Sequence, residues 1–196
     1  MARTQSANYP EIKSAILRTA ARLFARDGYG RTTIGDLTEA CQASRGTLYH
    51  YFANKEAILL EMMLAHIADM ASHVRAAIAL SDNPNERLRN IIRSITALNA
   101  QSRHEQIVLM NDLGNLKKSE QTRIRAMQNQ IVDLVLASLE AVDGKGRMTR
   151  RNRKVYAMLV LGMINFTYAW YDPDGPVPPR ELAEIASELL LHGIEA

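Results

Sequence analysis

Cysteine is nearly absent. Cys41 stands alone in 196 residues, which excludes an intramolecular disulfide and a cysteine-rich zinc site and suits a reducing cytoplasm. Long apolar runs are missing too. The most apolar stretch, Ala157–Tyr171, falls short of the roughly 20 residues of a membrane span and contains Asn165, so it reads as a buried helix. Met1–Pro10 has no apolar centre, hence no secretory signal, and no membrane partner is expected. The chain also lacks a His-Glu-x-x-His pair, a Walker loop and any marked nucleophile–base pair, while His66, His73, His104 and His192 stand apart. Neither an enzyme nor a bound metal or cofactor is expected. Repeats, low-complexity tracts and strand-like alternation are absent, and the ordinary composition excludes disordered, collagenous and coiled-coil classes.

Charge is present but unevenly placed. Residues 1–55 carry eight Lys/Arg against four Asp/Glu, whereas the remaining 141 residues carry 16 against 17. The positive excess therefore lies in the first quarter, as expected of a segment facing a polyanion.

Helical periodicity dominates the rest. Pro10 suits a first turn, Ile12, Ile16, Ala20, Leu23 and Phe24 share a face, and Gly28 ends that helix in a left-handed cap. Thr33, with Asp36 three residues on, opens a second helix with Ile34, Leu37 and Ala40 inward. After a break at Cys41-Gln42-Ala43, Ser44 caps a third helix to about Phe52 and Asn54 caps a fourth to about Leu80. Further helices are expected near 85–101, 104–114, 119–142, 150–171 and 180–193, separated by Gly114, Gly144-Lys145-Gly146 and Asp172–Pro176. The expectation is an all-α protein of about nine helices. Residues 1–55 would form a three-helix DNA-binding domain, joined by a long helix to a helical bundle over 56–196.

Two short helices around a three-residue turn make a helix-turn-helix. On the second, Leu48 and Phe52 point inward, leaving Arg45, Thr47, Tyr49 and His50 outside. Arg45 can bond a guanine edge, the Thr47 methyl can touch thymine, Tyr49 and His50 can reach phosphates or bases, and Gly46 permits close approach. Lys55 opposes the dipole of its helix, which makes sense if a phosphate docks there; Thr33 offers a similar seat. Tyr51 either packs internally or joins that surface, and Cys41 is read as a small buried spacer.

Phe24, Gly28 and Thr32-Thr33-Ile34, followed by Ser44-Arg45-Gly46-Thr47-Leu48-Tyr49-His50-Tyr51-Phe52 and Lys55-Glu56, resemble the DNA-binding domain of the tetracycline-repressor (TetR) family. The resemblance covers about residues 10–60. It implies phosphate contacts at Thr33, Tyr49, His50 and Lys55, base reading near Arg45 and Thr47, and a C-terminal ligand-binding and dimerisation domain. One departure is Gln42, where the turn usually holds glycine; a positive φ there would strain it mildly.

In the C-terminal region, Val155, Leu159, Gly162 and Phe166 form a row on one helix. Leu182, Ile185, Ala186 and Leu189 form another, opposite Glu181, Glu184 and Glu188. These suit an isologous four-helix dimer interface, or else packing within the chain. Asn165, Trp170, Tyr171 and Gly175 are similar to a branch of the family in which several relatives answer to acyl-CoA thioesters. Met62, Met63, His66 and Met70, with Met110 and Met127, either line an apolar effector pocket or are ordinary core. Arg103-His104 and Arg123/Arg125 can receive effector phosphates or simply be solvated. The function expected is a ligand-responsive repressor that binds palindromic operator DNA as a homodimer. The alternatives are a regulator answering to a protein partner and a non-specific architectural DNA-binding protein.

Overall fold

The computed structural model describes residues 9–195, with side chains to residue 193; most of Met1–Pro10 lies outside them. Nine α-helices follow in order among the described residues, with no strand. They are α1 (Tyr9–Asp27), α2 (Ile34–Ala40), α3 (Arg45–Tyr51), α4 (Lys55–Ala79), α5 (Pro84–Gln101), α6 (Arg103–Asp112), α7 (Lys118–Val142), α8 (Arg153–Asn165) and α9 (Pro179–Glu195).

The local punctuation is as expected. Gly28 ends α1 at φ +88°, Thr33 and Asp36 form a capping box on α2, and Ser44 and Asn54 cap α3 and α4. Gln42 has φ 49°, the only non-glycine residue in the left-handed region among those described. Ile12 departs from expectation. It is 40% exposed, because the inward face of α1 begins at Ile16.

α8 is also shorter than the 150–171 expectation. Asn152 accepts from the Thr149 N–H and hydroxyl and donates to the Arg147 carbonyl, which keeps the preceding residues in a built loop. At the other end the Thr167 hydroxyl takes the Ile164 carbonyl at 2.7 Å, and the chain tightens into a 3-10 turn over Phe166–Ala169. The Tyr171 hydroxyl then donates to the Val177 carbonyl at 2.8 Å, closing the proline-rich connection to α9.

One contiguous buried cluster runs from Ile16 to Leu191. α4 is its spine, packing on α1, α5, α6 and α7 through Ile58, Leu59, Met62, Met63 and Ile67. By length and composition α4 could cross a bilayer, which corrects the expectation that no stretch could, but 50% of its most apolar window is buried in the fold. α6 lies against α1, so the body touches the N-terminal unit at a second place.

Candidate nucleic-acid interface and ligand cavity

Leu48 and Phe52, 1% and 2% exposed, pin α3 to the N-terminal core and fix which residues remain outside. Arg45, Gly46, Thr47, Tyr49 and His50 are exposed, and Arg45 has no ion-pair partner among the described residues. The Ser44 hydroxyl accepts from the Thr47 N–H at 3.0 Å and lies 2.9 Å from the Thr47 hydroxyl, presetting that side chain. A Cβ at Gly46 would meet only Ser44 Oγ, at 3.7 Å, so the chain's own packing does not demand glycine there. Tyr51 resolves as a packing residue, half-buried with its ring 4.6 Å from that of Tyr9, and His50 packs edge-on against both rings. Tyr9 went unremarked in the sequence because its partners lie over 40 residues away.

Both residues expected to seat phosphates through the α2 and α4 starts are bonded within the chain. The Lys55 Nζ donates to the Tyr29 and Thr32 carbonyls, both at 2.8 Å, and sits 4.3 Å from the Tyr29 ring centroid. Those carbonyls explain why a lysine opens α4 despite the helix dipole. Burial, then the charge of Glu56, pushes the Tyr29 phenol up to about 12. At Thr33, the N–H and hydroxyl both donate to Asp36 Oδ2, at 2.8 and 2.9 Å. That backbone bond, then the hydroxyl, holds the Asp36 carboxyl below its usual range. In the free protein a carboxylate thus occupies the seat expected for phosphate. Burial raises the Cys41 thiol.

A cavity of about 550 Å³ lies between α4, α6, α7 and α8. Its walls are mostly apolar, including Ile67 and Met70 from α4, Leu109 and Met110 from α6, and Ile131 and Val132 from α7. α8 and its following turn add Met158, Leu161, Gly162 and Phe166. The polar lining comprises Gln106, Arg125, Gln128, Asn129 and Asn165, with Arg125 the one cation. Met70, Met110 and Asn165 are therefore brought together, as grouped from the sequence. Met62 and Met63 are corrected to core, 2% and 0% exposed, because they fall on the α4 face turned to the centre of the bundle. Met127 packs against that core outside the lining, and His66 stands behind the wall, bonded to Gln106. Gln106 itself was missed; its signal is a glutamine three residues before Leu109, on the same helix face. Arg103 donates to the Tyr168 carbonyl at 3.2 Å, while His104 and Arg123 are exposed.

A second, smaller groove of about 240 Å³ lies between the α8 turn and α9, lined by Met163, Trp170, Leu182, Ile185, Ala186 and Leu189 among others. Of the candidate interface residues, Val155, Leu159, Phe166, Ile185 and Leu189 are 46–67% exposed, Leu182 is half-buried and Gly162 exposed. Ala186 turns inward, 9% exposed. Among the described residues no three His, Cys, Asp or Glu side chains are grouped to hold a metal ion.

Comparison with known proteins agrees with this architecture. Residues 16–62 match the family profile of bacterial regulatory proteins, tetR family, and residues 81–194 match the tetracyclin repressor-like C-terminal domain. The HTH-type transcriptional repressor KstR2 of Mycobacterium tuberculosis is 25% identical over 189 residues, covering 93% of this chain and 92% of that one. A TetR-family transcriptional regulator from Bordetella parapertussis 12822 superposes with a TM-score of 0.87 at 35% identity, over 92% of this chain and 94% of that one. AibR in complex with isovaleryl coenzyme A and operator DNA superposes at 0.80 with 28% identity, over 92% and 98%. The chain belongs to the TetR family of DNA-binding transcriptional regulators.

Proposed function

We propose that this protein is a ligand-responsive transcriptional repressor, a homodimer on palindromic operator DNA, released by a small apolar or acyl-CoA-like effector. Residues 1–55 serve as its DNA-binding domain and 56–196 as its ligand-binding and dimerisation domain. The observation that carries this reading is the span of α4, which begins with Lys55 holding the α1–α2 loop and lines the cavity further on with Ile67 and Met70. An occupant pressing on α4, or on Leu109 and Met110 of α6, acts on helices that also contact α1.

In the DNA-bound state the two α3 helices stand roughly 34–36 Å apart, one helical repeat. Arg45 and Thr47 read bases while Tyr49 and His50 meet phosphates, with Ser44 and Gly46 setting the approach. The effector binds the state with the wrong separation more tightly, by a few kcal/mol. The cavity volume lies within the roughly 300–1,000 Å³ typical of small-molecule sites, and its apolar walls with Arg125 as the lone cation suit an acyl chain carrying an anionic group. This favours a small-molecule effector over a protein partner.

Dimerisation is supported by the exposed apolar surface of α8 and α9. Eight large apolar side chains on these helices and the turn after α8, from Val155 to Leu189, are 37–67% exposed. A Cβ built at Gly162 meets open space, so the chain's own packing does not demand glycine there, and the small residue suits close approach of a second helix.

The test is selection of palindromic duplexes from a random pool at fixed salt, followed by titration with isovaleryl- and octanoyl-CoA. Sequence-specific binding is expected, weakened by Arg45→Ala by roughly 5- to 150-fold and reversed by the effector. Binding indifferent to sequence would establish the architectural alternative. Specific binding that neither thioester affects would remove this effector class and leave the repressor.

A further inference from the structure

Two of the cavity's amides are each held by a partner behind the wall. Gln106, 1% exposed, has its Oε1 3.0 Å from Nε2 of His66, which is itself 5% exposed on α4. With Oε1 turned to that nitrogen, the imidazole is the donor and the Gln106 NH2 is the group left for the cavity. Asn165 repeats the arrangement. Its Oδ1 accepts from Asn99 Nδ2 at 3.2 Å, and the same Nδ2 faces the Ile164 carbonyl at 3.4 Å. A backbone carbonyl cannot donate, so it sets the orientation of Asn99, and Asn99 in turn sets that of Asn165. Asn99 is 4% exposed, and its Oδ1 has no protein partner among the described residues. Neither NH2 has another protein partner among the described residues, and α6 packs against the turn that follows Asn165.

We propose that the Gln106 and Asn165 amides are the cavity's specificity-determining donors, held by His66 and Asn99, and that they read the acyl carbonyl oxygen of the occupant. The walls around them are mostly apolar, with Arg125 a further donor and Gln128 and Asn129 the remaining polar groups, so an acceptor on the occupant finds few partners besides these donors. His66 and Asn99 are positioning residues that touch no ligand. The inference rests on the reading of this cavity as the effector site.

The test compares octanoyl-CoA with S-octyl-CoA, the thioether that keeps the chain and the nucleotide and lacks only the carbonyl, by isothermal titration of the purified full-length protein. The thioester is expected to bind about tenfold more tightly. In Gln106→Leu and Asn165→Leu that ratio falls towards one while thioether affinity holds, which also reports an intact cavity. Asn99→Ser lowers the ratio in the same way, an effect that a merely structural role would not produce at constant thioether affinity. Equal affinities in the native protein, or a ratio that survives in both leucine variants, would overturn the inference and leave the effector site standing. Failure of both compounds to bind would overturn the acyl-CoA reading and this inference together.

Discussion

Lys55 shows how one side chain is decided by what lies near it in space. Its ammonium joins two carbonyls of the α1–α2 loop to the start of α4, fixing the angle at which the linking helix leaves the N-terminal unit. Lys55→Met keeps the aliphatic stem and removes both bonds. The expected loss is about 2 kcal/mol, a fall in Tm of about 4–8 °C for a chain of this size, measured by calorimetry. An unchanged Tm with a shallower salt dependence of operator binding would return Lys55 to the phosphate seat. Gln42 was legible beforehand through the resemblance, since the family's turn usually holds glycine there, and the observed φ of 49° is the strain anticipated. The Lys55 carbonyl partners were not, because they lie 23 and 26 residues away in the chain.

At the level of elements, α9 turns its amphipathic pattern around. Glu184 and Glu188 pair with Arg93 and Arg89 of α5, so the charged edge is held against the body while Ile185 and Leu189 are left outside. An apolar stripe in the sequence identifies a helix but does not say which neighbour covers it. α4 and α6 meet through His66 and Gln106, and this link is sensitive to pH. Burial pulls the His66 pKa below 6.5, against the Gln106 bond and the charges of Glu105 and Asp69. The unfolded chain therefore takes up a proton first. Stability is full above about 6.5 and is lost as pH falls from there towards the lower folded-state value. Thermal melts at two pH values bracketing that window should show a lower Tm on the acid side, with the slope reduced in His66→Gln. A variant with an identical slope would show that other groups set it.

For the whole molecule, the continuous core from Ile16 to Leu191 makes the N-terminal unit and the body mechanically one piece, so a change at the cavity has a path to α3. Gly162 of α8 and Phe166 of the turn after it border the cavity and are also exposed, so the cavity and the apolar outer face of α8 adjoin. Leu159→Glu puts a charge at the centre of that face, on a residue 67% exposed within its own chain, so the fold should survive. Light scattering is expected to show a monomer, with operator affinity lowered roughly 10²- to 10⁴-fold through loss of the second half-site. A dimer of unchanged mass would move the interface elsewhere.

The amino-acid order alone determined the helices, their caps, the helix-turn-helix and its exposed face, because capping and amphipathic spacing act over three or four residues. Tertiary structure alone decided which methionines line the cavity, what Lys55 holds, and that Gln106 meets His66 and Asn165 meets Asn99. Each of those outcomes depends on groups brought together from 23 to 66 positions apart. Local pattern carries no information about such meetings; packing of the whole chain creates them. Thus the basic N-terminal segment announced its partner class in the sequence, while the selectivity of the cavity exists only in the folded bundle.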